Sequence, residues 1–106
     1  MTLKMAVRRE LERLQAQLIQ DGLWQSEPVS ALALASTQPF AVDTLRFEQW
    51  LQFIYLPRLF ALLDAGAALP TKVAVTPMAE EALAGHREVI VILSRLDTLM
   101  SEAQDA

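Results

Sequence analysis

The chain has 106 residues, a net charge of −4 and no cysteine, with 53% apolar and 21% charged residues. These totals predict one domain over residues 1–106 and exclude a charge-rich disordered tail, a disulfide framework and a thiolate metal site. The nine basic residues are scattered rather than clustered, which disfavours direct binding of nucleic acid.

The N-terminal segment predicts an amphipathic helix from about Thr2 to Gln20. Its apolar residues recur at spacings of four and three, on one helical face: Leu3, Val7, Leu11, Leu14 and Leu18. Charges in its first turns distinguish it from a signal peptide, and no part of the chain has the roughly 18 consecutive apolar residues of a membrane span. We therefore expect a cytoplasmic protein with no membrane partner.

Residues 28–35, PVSALALA, favour a short helix, although two leucines two positions apart leave a short strand open. The connection STQPFAVDT follows. Its apolar Phe40 and Val42 are expected to anchor it to the body of the protein. Asp43 or Thr44 is expected to cap the next helix by accepting a hydrogen bond from a free backbone N–H.

The segment from about Leu45 to Ala65 is apolar on most sides, which predicts a central, mostly buried helix with Leu51 and Ile54 in the core. Pro57 lies near its middle. A proline donates no backbone hydrogen bond and crowds the carbonyl four residues earlier, at a cost of about 3 kcal/mol. Because the apolar periodicity continues beyond it, we expect one helix kinked at Pro57 rather than two separate helices.

Two further helices complete the prediction. Thr76 followed by Pro77 predicts a helix start with the threonine as N-cap, and this helix extends to about Ala84. The last segment keeps a helical spacing at Val89, Leu93, Leu96 and Met100. The fold class is therefore predicted to be all-α, a small helical bundle of three longer helices and one or two short ones.

The chain resembles the YqcC-like family of small bacterial proteins over nearly its whole length. The first group of matching residues is Ser36, Thr37, Gln38, Pro39, Phe40, Asp43, Thr44, Trp50, Leu51, Gln52, Pro57, Arg58, Leu62, Leu63 and Asp64. The second group is Leu69, Pro70, Ala74, Val75, Pro77, Ala82, Leu83 and Ala84. The resemblance implies an all-α bundle and no particular activity. It also implies an association with a tRNA pseudouridine synthase, whose gene often neighbours those of the family.

The loop before the central helix and the irregular middle of that helix form the best candidate binding site. Its residues are Thr37, Gln38, Pro39, Phe40, Trp50, Tyr55 and Arg58. A glutamine amide beside aromatic rings suits a peptide or small ligand, and an arginine can grip a carboxylate or phosphate with two hydrogen bonds. The alternative is that Pro39 and Phe40 only anchor the crossover and that Arg58 caps a broken carbonyl.

No catalytic constellation is evident. The single histidine, His86, suits an acid–base role less well than a surface or capping role, and it cannot form a histidine-rich metal site alone. The glycines are too isolated for a phosphate-binding loop. We therefore predict no catalytic residue, no metal ligand and no cofactor.

The leading hypothesis is a non-enzymatic helical interaction protein, an accessory to RNA modification whose partner is another protein. The alternative is a protein that binds a peptide or small molecule, or a weak enzyme, at a pocket around Gln38, Trp50 and Arg58. Direct tRNA binding is a third, disfavoured reading. The sequence leaves a homodimer open, because a small bundle can expose an apolar face.

Overall fold

The computed structural model of the protein describes residues 2–102, and this range is all-α, without a β-strand. The elements in chain order are α1 (Leu3–Gln20), α2 (Ala31–Leu34), a 3-10 turn (Pro39–Ala41), α3 (Phe47–Trp50), a π-helical turn (Leu51–Tyr55), α4 (Leu56–Asp64), α5 (Thr76–Ala82) and α6 (Arg87–Glu102). The predicted all-α bundle is confirmed. None of these helices combines the length and the apolar character needed to cross a membrane, within the part of the chain described.

The two longest helices, α1 and α6, pack side by side and run in opposite directions. Asp21 at the end of α1 contacts His86, just before α6 begins, and Glu10 near the middle of α1 contacts Arg95. The predicted apolar stripes of both helices lie in the core, where almost all of these side chains are inaccessible to solvent: Val7, Leu11, Leu14, Leu18, Val89, Leu93, Leu96 and Met100.

The central helix runs without interruption from 47 to 64, and its π-helical turn ends at Tyr55, two residues before Pro57, where the sequence predicted a kink. The N–H of Leu56 donates to the carbonyl of Leu51, five residues earlier rather than four. This wider register immediately precedes Pro57, which has no N–H to donate. The hydrogen-bond ladder therefore changes where the proline would break it, and the apolar residues on both sides stay in one helix.

The central helix begins two residues later than predicted, and neither Asp43 nor Thr44 caps it. Its N-cap is Arg46, whose N–H donates to Oε1 of Gln49 at 2.8 Å. The two predicted caps hold the preceding loop instead. The carboxylate of Asp43 accepts from Ser36, and the hydroxyl of Thr44 donates to the carbonyl of Ala33.

Helix α5, by contrast, begins one residue earlier than predicted, and its cap comes from another helix. Thr76 lies inside the helix, and a single oxygen, Oδ2 of Asp97 on α6, accepts from its N–H and its hydroxyl and from the N–H of Val75. The free N–H groups of this helix end are thus satisfied by tertiary contact rather than by a local side chain.

Two apolar residues, the predicted anchor Val42 and the predicted core residue Ile54, are more exposed to solvent than expected. Val42 is 57% exposed, so the prediction that it anchors the connection is wrong, whereas Phe40 packs against the core. Ile54 is only half-buried, although Leu51 is fully buried as predicted. Ile54 lines a cavity beside the connection, and Val42 lines a different one beside α5.

Candidate functional site

A wide groove of about 700 Å³ lies between the long connection and the central helix. We call it the loop–helix groove, and its lining residues are Leu34, Ser36, Gln38, Phe40, Ala41, Trp50, Phe53, Ile54, Pro57 and Arg58. Four of the seven candidate residues predicted from sequence therefore line one surface: Gln38, Phe40, Trp50 and Arg58. Thr37 and Pro39 are exposed in the adjoining loop, and Tyr55 lines a different pocket.

The loop that lines the groove is held beside the central helix by short-range hydrogen bonds and contains two residues with strained backbone conformations. Ser30 caps α2 by accepting from the N–H of Ala33 at 3.1 Å, and Ser36 accepts from the N–H of Gln38 at 3.1 Å. Phe40 and Ala41 then adopt left-handed backbone conformations, with φ of 58° and 49°. Such conformations cost non-glycine residues on the order of 1–3 kcal/mol and are concentrated at functional sites.

The left-handed turn places the ring of Phe40 in an aromatic cluster. Its centroid lies 4.9 Å from that of Trp50, edge to face, and 6.0 Å from that of Phe47. Phe47 and Trp50 are stacked at 5.8 Å, and Trp50 lies 5.4 Å from Tyr55. Edge-to-face and offset rings attract one another beyond their buried area. The cluster fixes the loop against the central helix, as the anchoring alternative requires, while Trp50 still lines the groove.

A second, narrower pocket of about 350 Å³ lies on the other side of Trp50, Ile54 and Arg58, which also border the groove. We call it the inner pocket. Its remaining lining residues are Tyr55, Leu59, Leu62, Ala68, Leu69, Pro70 and Val73. The lining is mostly apolar, and Arg58 supplies its cationic group. One side wall of the groove is therefore also a wall of the inner pocket.

Tyr55 is the unusual polar residue of the inner pocket. Only 4% of it is exposed, and within residues 2–102 its hydroxyl has no hydrogen-bond partner. Burial, reinforced by the negative charge of Asp97, raises the pKa of Tyr55 far above its ordinary value. The phenol is therefore neutral at physiological pH and keeps its proton available for donation.

The sequence analysis missed a structural role for two glutamines of the central helix. Gln52 is buried, accepts from the N–H of Gln25 at 3.0 Å and donates to its carbonyl at 2.7 Å. Gln49 donates to the side chain of Gln25 at 3.0 Å. These bonds join the chain after α1 to the central helix. They could not be read from the sequence, because Gln25, whose backbone and side chain supply the partners, is distant along the chain.

His86 lies away from both cavities. Its Nδ1 is 2.9 Å from Oδ2 of Asp21, the C-cap of α1. The hydrogen bond with His86, followed by one from Gln17, holds the pKa of Asp21 below its ordinary value. The pair connects the end of α1 to the start of α6, which is a structural role for His86. Within the described residues, no three His, Asp or Glu side chains are grouped so as to hold a metal ion.

The family described as DUF446, tRNA pseudouridine synthase C, matches residues 6–99. The chain belongs to this family. An uncharacterized protein of Haemophilus influenzae is 42% identical over 92 residues, which is 87% of each chain. Protein YqcC of Escherichia coli is 38% identical over 100 residues, covering 93% of this chain and 92% of YqcC. The resemblance identified from the sequence is thereby confirmed.

Two further comparisons bear on fold and on context. The solution NMR structure of YqcC from E. coli has a TM-score of 0.84 to this chain at 35% identity, covering all of this chain and 92% of that one. A Pectobacterium carotovorum protein named tRNA pseudouridine synthase C is 44% identical over 64 residues. Those residues are 60% of this chain and only 17% of that much longer protein.

Proposed function

We propose that this chain is a non-enzymatic interaction domain that binds a tRNA pseudouridine synthase through the loop–helix groove. The observation that carries the proposal is the P. carotovorum relative, in which a segment like this chain makes up 17% of a protein named tRNA pseudouridine synthase C. Sharing one polypeptide keeps two domains at a high effective concentration. A separate chain that acts with the same enzyme must bind it through a surface of its own.

The loop–helix groove has the composition of such a surface. Aromatic residues and arginine are the side chains most enriched at the energetic centres of protein interfaces. Phe40, Trp50 and Phe53 line the groove together with Arg58. Leu34, which also lines the groove, is 41% exposed. A surface that combines exposed apolar and aromatic side chains with polar groups is typical of a docking site for a protein segment.

The backbone on both sides of the groove adopts irregular conformations, which are typical of functional sites. The left-handed pair Phe40 and Ala41 forms one side, and the π-helical turn of the central helix forms the other. π-helical turns, like left-handed non-glycine residues, are frequent at functional sites. Together these two features fix a shaped surface on rigid elements, so partner binding requires little reordering of this chain.

Purified chain and purified synthase from the same organism test the proposal in a biolayer or calorimetric binding experiment. Leu34→Asp combined with Arg58→Gln should weaken binding at least tenfold, because a carboxylate replaces an apolar side chain of the groove and the arginine of the groove is lost. Ile19→Asp combined with Arg87→Gln is the matched control, since it changes the net charge by the same amount at exposed residues outside the groove. Absence of binding by the wild-type chain, or equal loss in variant and control, would count decisively against the proposal.

The inner pocket supports a second candidate function, binding of a small amphipathic carboxylate. The observations that favour this reading are its arginine and its buried Tyr55 hydroxyl, which has no hydrogen-bond partner among residues 2–102. An apolar body would fill the pocket while Arg58 held the carboxylate. Phenylpropionate should raise the melting temperature in a saturable manner, and Arg58→Gln should abolish the shift while Arg87→Gln retains it. Phenylpropanol serves as the uncharged probe, and an equal shift with it would refute recognition by charge.

A further inference from the structure

We infer that a groove between α1 and α6, on helices other than those that form the loop–helix groove, binds the phosphate backbone of RNA. This inference rests on the proposed function, since the relative that motivates it is named as a tRNA-modifying enzyme. We call this surface the arginine groove. It encloses about 400 Å³ and is lined by Ala6, Arg9, Glu10, Arg13, Ser94, Arg95, Thr98 and Leu99.

Three guanidinium groups meet at this groove although the sequence scatters them. Arg9 and Arg13 are four residues apart and therefore share a face of α1, while Arg95 comes from the antiparallel helix α6. With Glu10 included, the groove has three positive charges and one negative charge, in a chain whose net charge is −4. The fold thus concentrates positive charge that the scattered sequence positions did not indicate.

Glu10 fixes two of the three arginines. It is buried, with its Oε2 3.1 Å from Nη1 of Arg13 and its Oε1 3.5 Å from Nη1 of Arg95. Each guanidinium has five N–H donors, so one contact to Glu10 leaves most donors available. The side chains of Arg13 and Arg95 remain 52% and 55% exposed. The carboxylate therefore hydrogen-bonds to Arg13 and lies within ion-pair distance of Arg95, while both guanidinium groups still face solvent.

The rest of the groove suits a phosphodiester. Arginine forks match the oxygens of a phosphate with paired hydrogen bonds, and serine and threonine hydroxyls are common donors to the nucleic-acid backbone. Ser94 and Thr98 place such hydroxyls on the α6 wall, and Ala6 is too small to obstruct close approach. No base-reading element is required, so this surface should contribute affinity for RNA and orientation of RNA rather than sequence recognition.

Fluorescence anisotropy with a labelled, unmodified tRNA and the full chain tests the inference at low salt. Neutralising the groove with Arg9→Gln, Glu10→Gln, Arg13→Gln and Arg95→Gln removes the arginines without stranding a buried carboxylate. We expect the dissociation constant to rise at least tenfold. We also expect the slope of log affinity against log salt to fall from about 2–3 to below about 1, since each phosphate contact contributes roughly 0.7–0.9.

The matched control is Lys72→Gln with Arg87→Gln, which changes the net charge by the same amount at exposed positions outside the groove. Arg9→Gln alone leaves the Glu10 pairs intact and should give a partial loss even if the larger variant folds poorly. No tRNA binding at low salt, or equal loss in groove variant and control, would overturn the inference. If the chain bound polyglutamate and tRNA did not displace it, the inference of RNA binding would be overturned in favour of an acidic protein partner.

The synthase-binding experiment keeps the two proposals distinguishable. The neutralised arginine groove should leave synthase binding unchanged, because none of its residues lines the loop–helix groove. Conversely, Leu34→Asp with Arg58→Gln should leave tRNA binding by the isolated chain within about twofold of wild type, an allowance for the two units by which it lowers the net charge away from the arginine groove. A variant that loses tRNA binding but keeps synthase binding therefore tests only the arginine groove. A variant that loses synthase binding but keeps tRNA binding tests only the docking proposal.

Discussion

Leu51→Ala should lower the free energy of unfolding by about 2–5 kcal/mol, the range for removing a buried leucine side chain and leaving a cavity. Leu51 is fully buried and is the first residue of the π-helical turn. Its carbonyl accepts from the N–H of Leu56 across that turn. A cavity at this point lies directly under the irregular part of the central helix, where the surrounding backbone has little freedom to collapse. Urea unfolding followed by circular dichroism measures the change.

Ile54→Ala is the matched control within the same turn. Ile54 is half-buried and borders both the loop–helix groove and the inner pocket, so its truncation widens an existing opening instead of creating a closed cavity. We expect a loss of less than about 2 kcal/mol, in proportion to the smaller apolar area that it buries. An equal or larger loss for Ile54→Ala than for Leu51→Ala would contradict this description of the core.

The long helices could be predicted because their apolar residues alone determine which face is buried. Leu11 on α1 and Leu96 on α6 belong to stripes with helical spacing, and both are fully buried. A period of 3.6 residues is a local property of the chain, so it can be read without knowing any neighbour. A kink at Pro57 was predicted because the missing N–H is a property of the residue itself, and the structure has a π-helical turn in the residues just before it.

The start of α5 and the burial of Gln52 were not predicted, because both depend on tertiary contacts. Thr76 has the sequence signature of an N-cap, yet it donates to Asp97 from inside the helix. Gln52 is a polar residue of the central helix, yet it is buried and makes two hydrogen bonds to Gln25. In both cases the partner is distant along the chain, and nothing in the local pattern identifies it.

Local sequence features also account for the part of the candidate site that was predicted. The rigid STQPF loop and the irregular helix are both local features, and the structure brings Gln38, Trp50 and Arg58 to one groove. The arginine groove had no local signal, because Arg95 joins Arg9 and Arg13 only when α6 packs on α1. Surfaces formed by one segment are therefore visible in the sequence, whereas surfaces formed between distant helices require the fold.

Asp97→Ala should lower the free energy of unfolding by about 2–4 kcal/mol, although Asp97 is only partly buried. Its Oδ2 accepts from the N–H groups of Val75 and Thr76, each at 2.9 Å, and from the hydroxyl of Thr76 at 2.7 Å. Hydrogen bonds to a charged acceptor contribute about 1.5–3 kcal/mol, and a buried donor left without a partner costs about 1–3 kcal/mol. Val75 is fully buried, so water cannot easily replace the lost acceptor.

Two variants separate the capping bonds from the rest of the residue. Asp97→Asn keeps an acceptor oxygen without the charge and should lose about half as much stability as Asp97→Ala. Thr76→Val removes only the hydroxyl bond and should cost about 1 kcal/mol. Hydrogen exchange should show faster exchange of the Val75 and Thr76 amides in Asp97→Ala than in Thr76→Val. Similar protection of both amides in all three variants would show that Asp97 does not hold this helix end.

The consequence of that cap extends to the inner pocket. Val73, two residues before the capped Val75, lines the pocket, as does Tyr55, whose pKa is raised in part by the charge of Asp97. Releasing the start of α5 should therefore loosen one wall of the pocket. Asp97→Ala should reduce phenylpropionate binding through this loosening, even though Asp97 does not line the pocket and its negative charge by itself opposes a bound carboxylate. Thr76→Val should not reduce binding, because it leaves both backbone bonds in place.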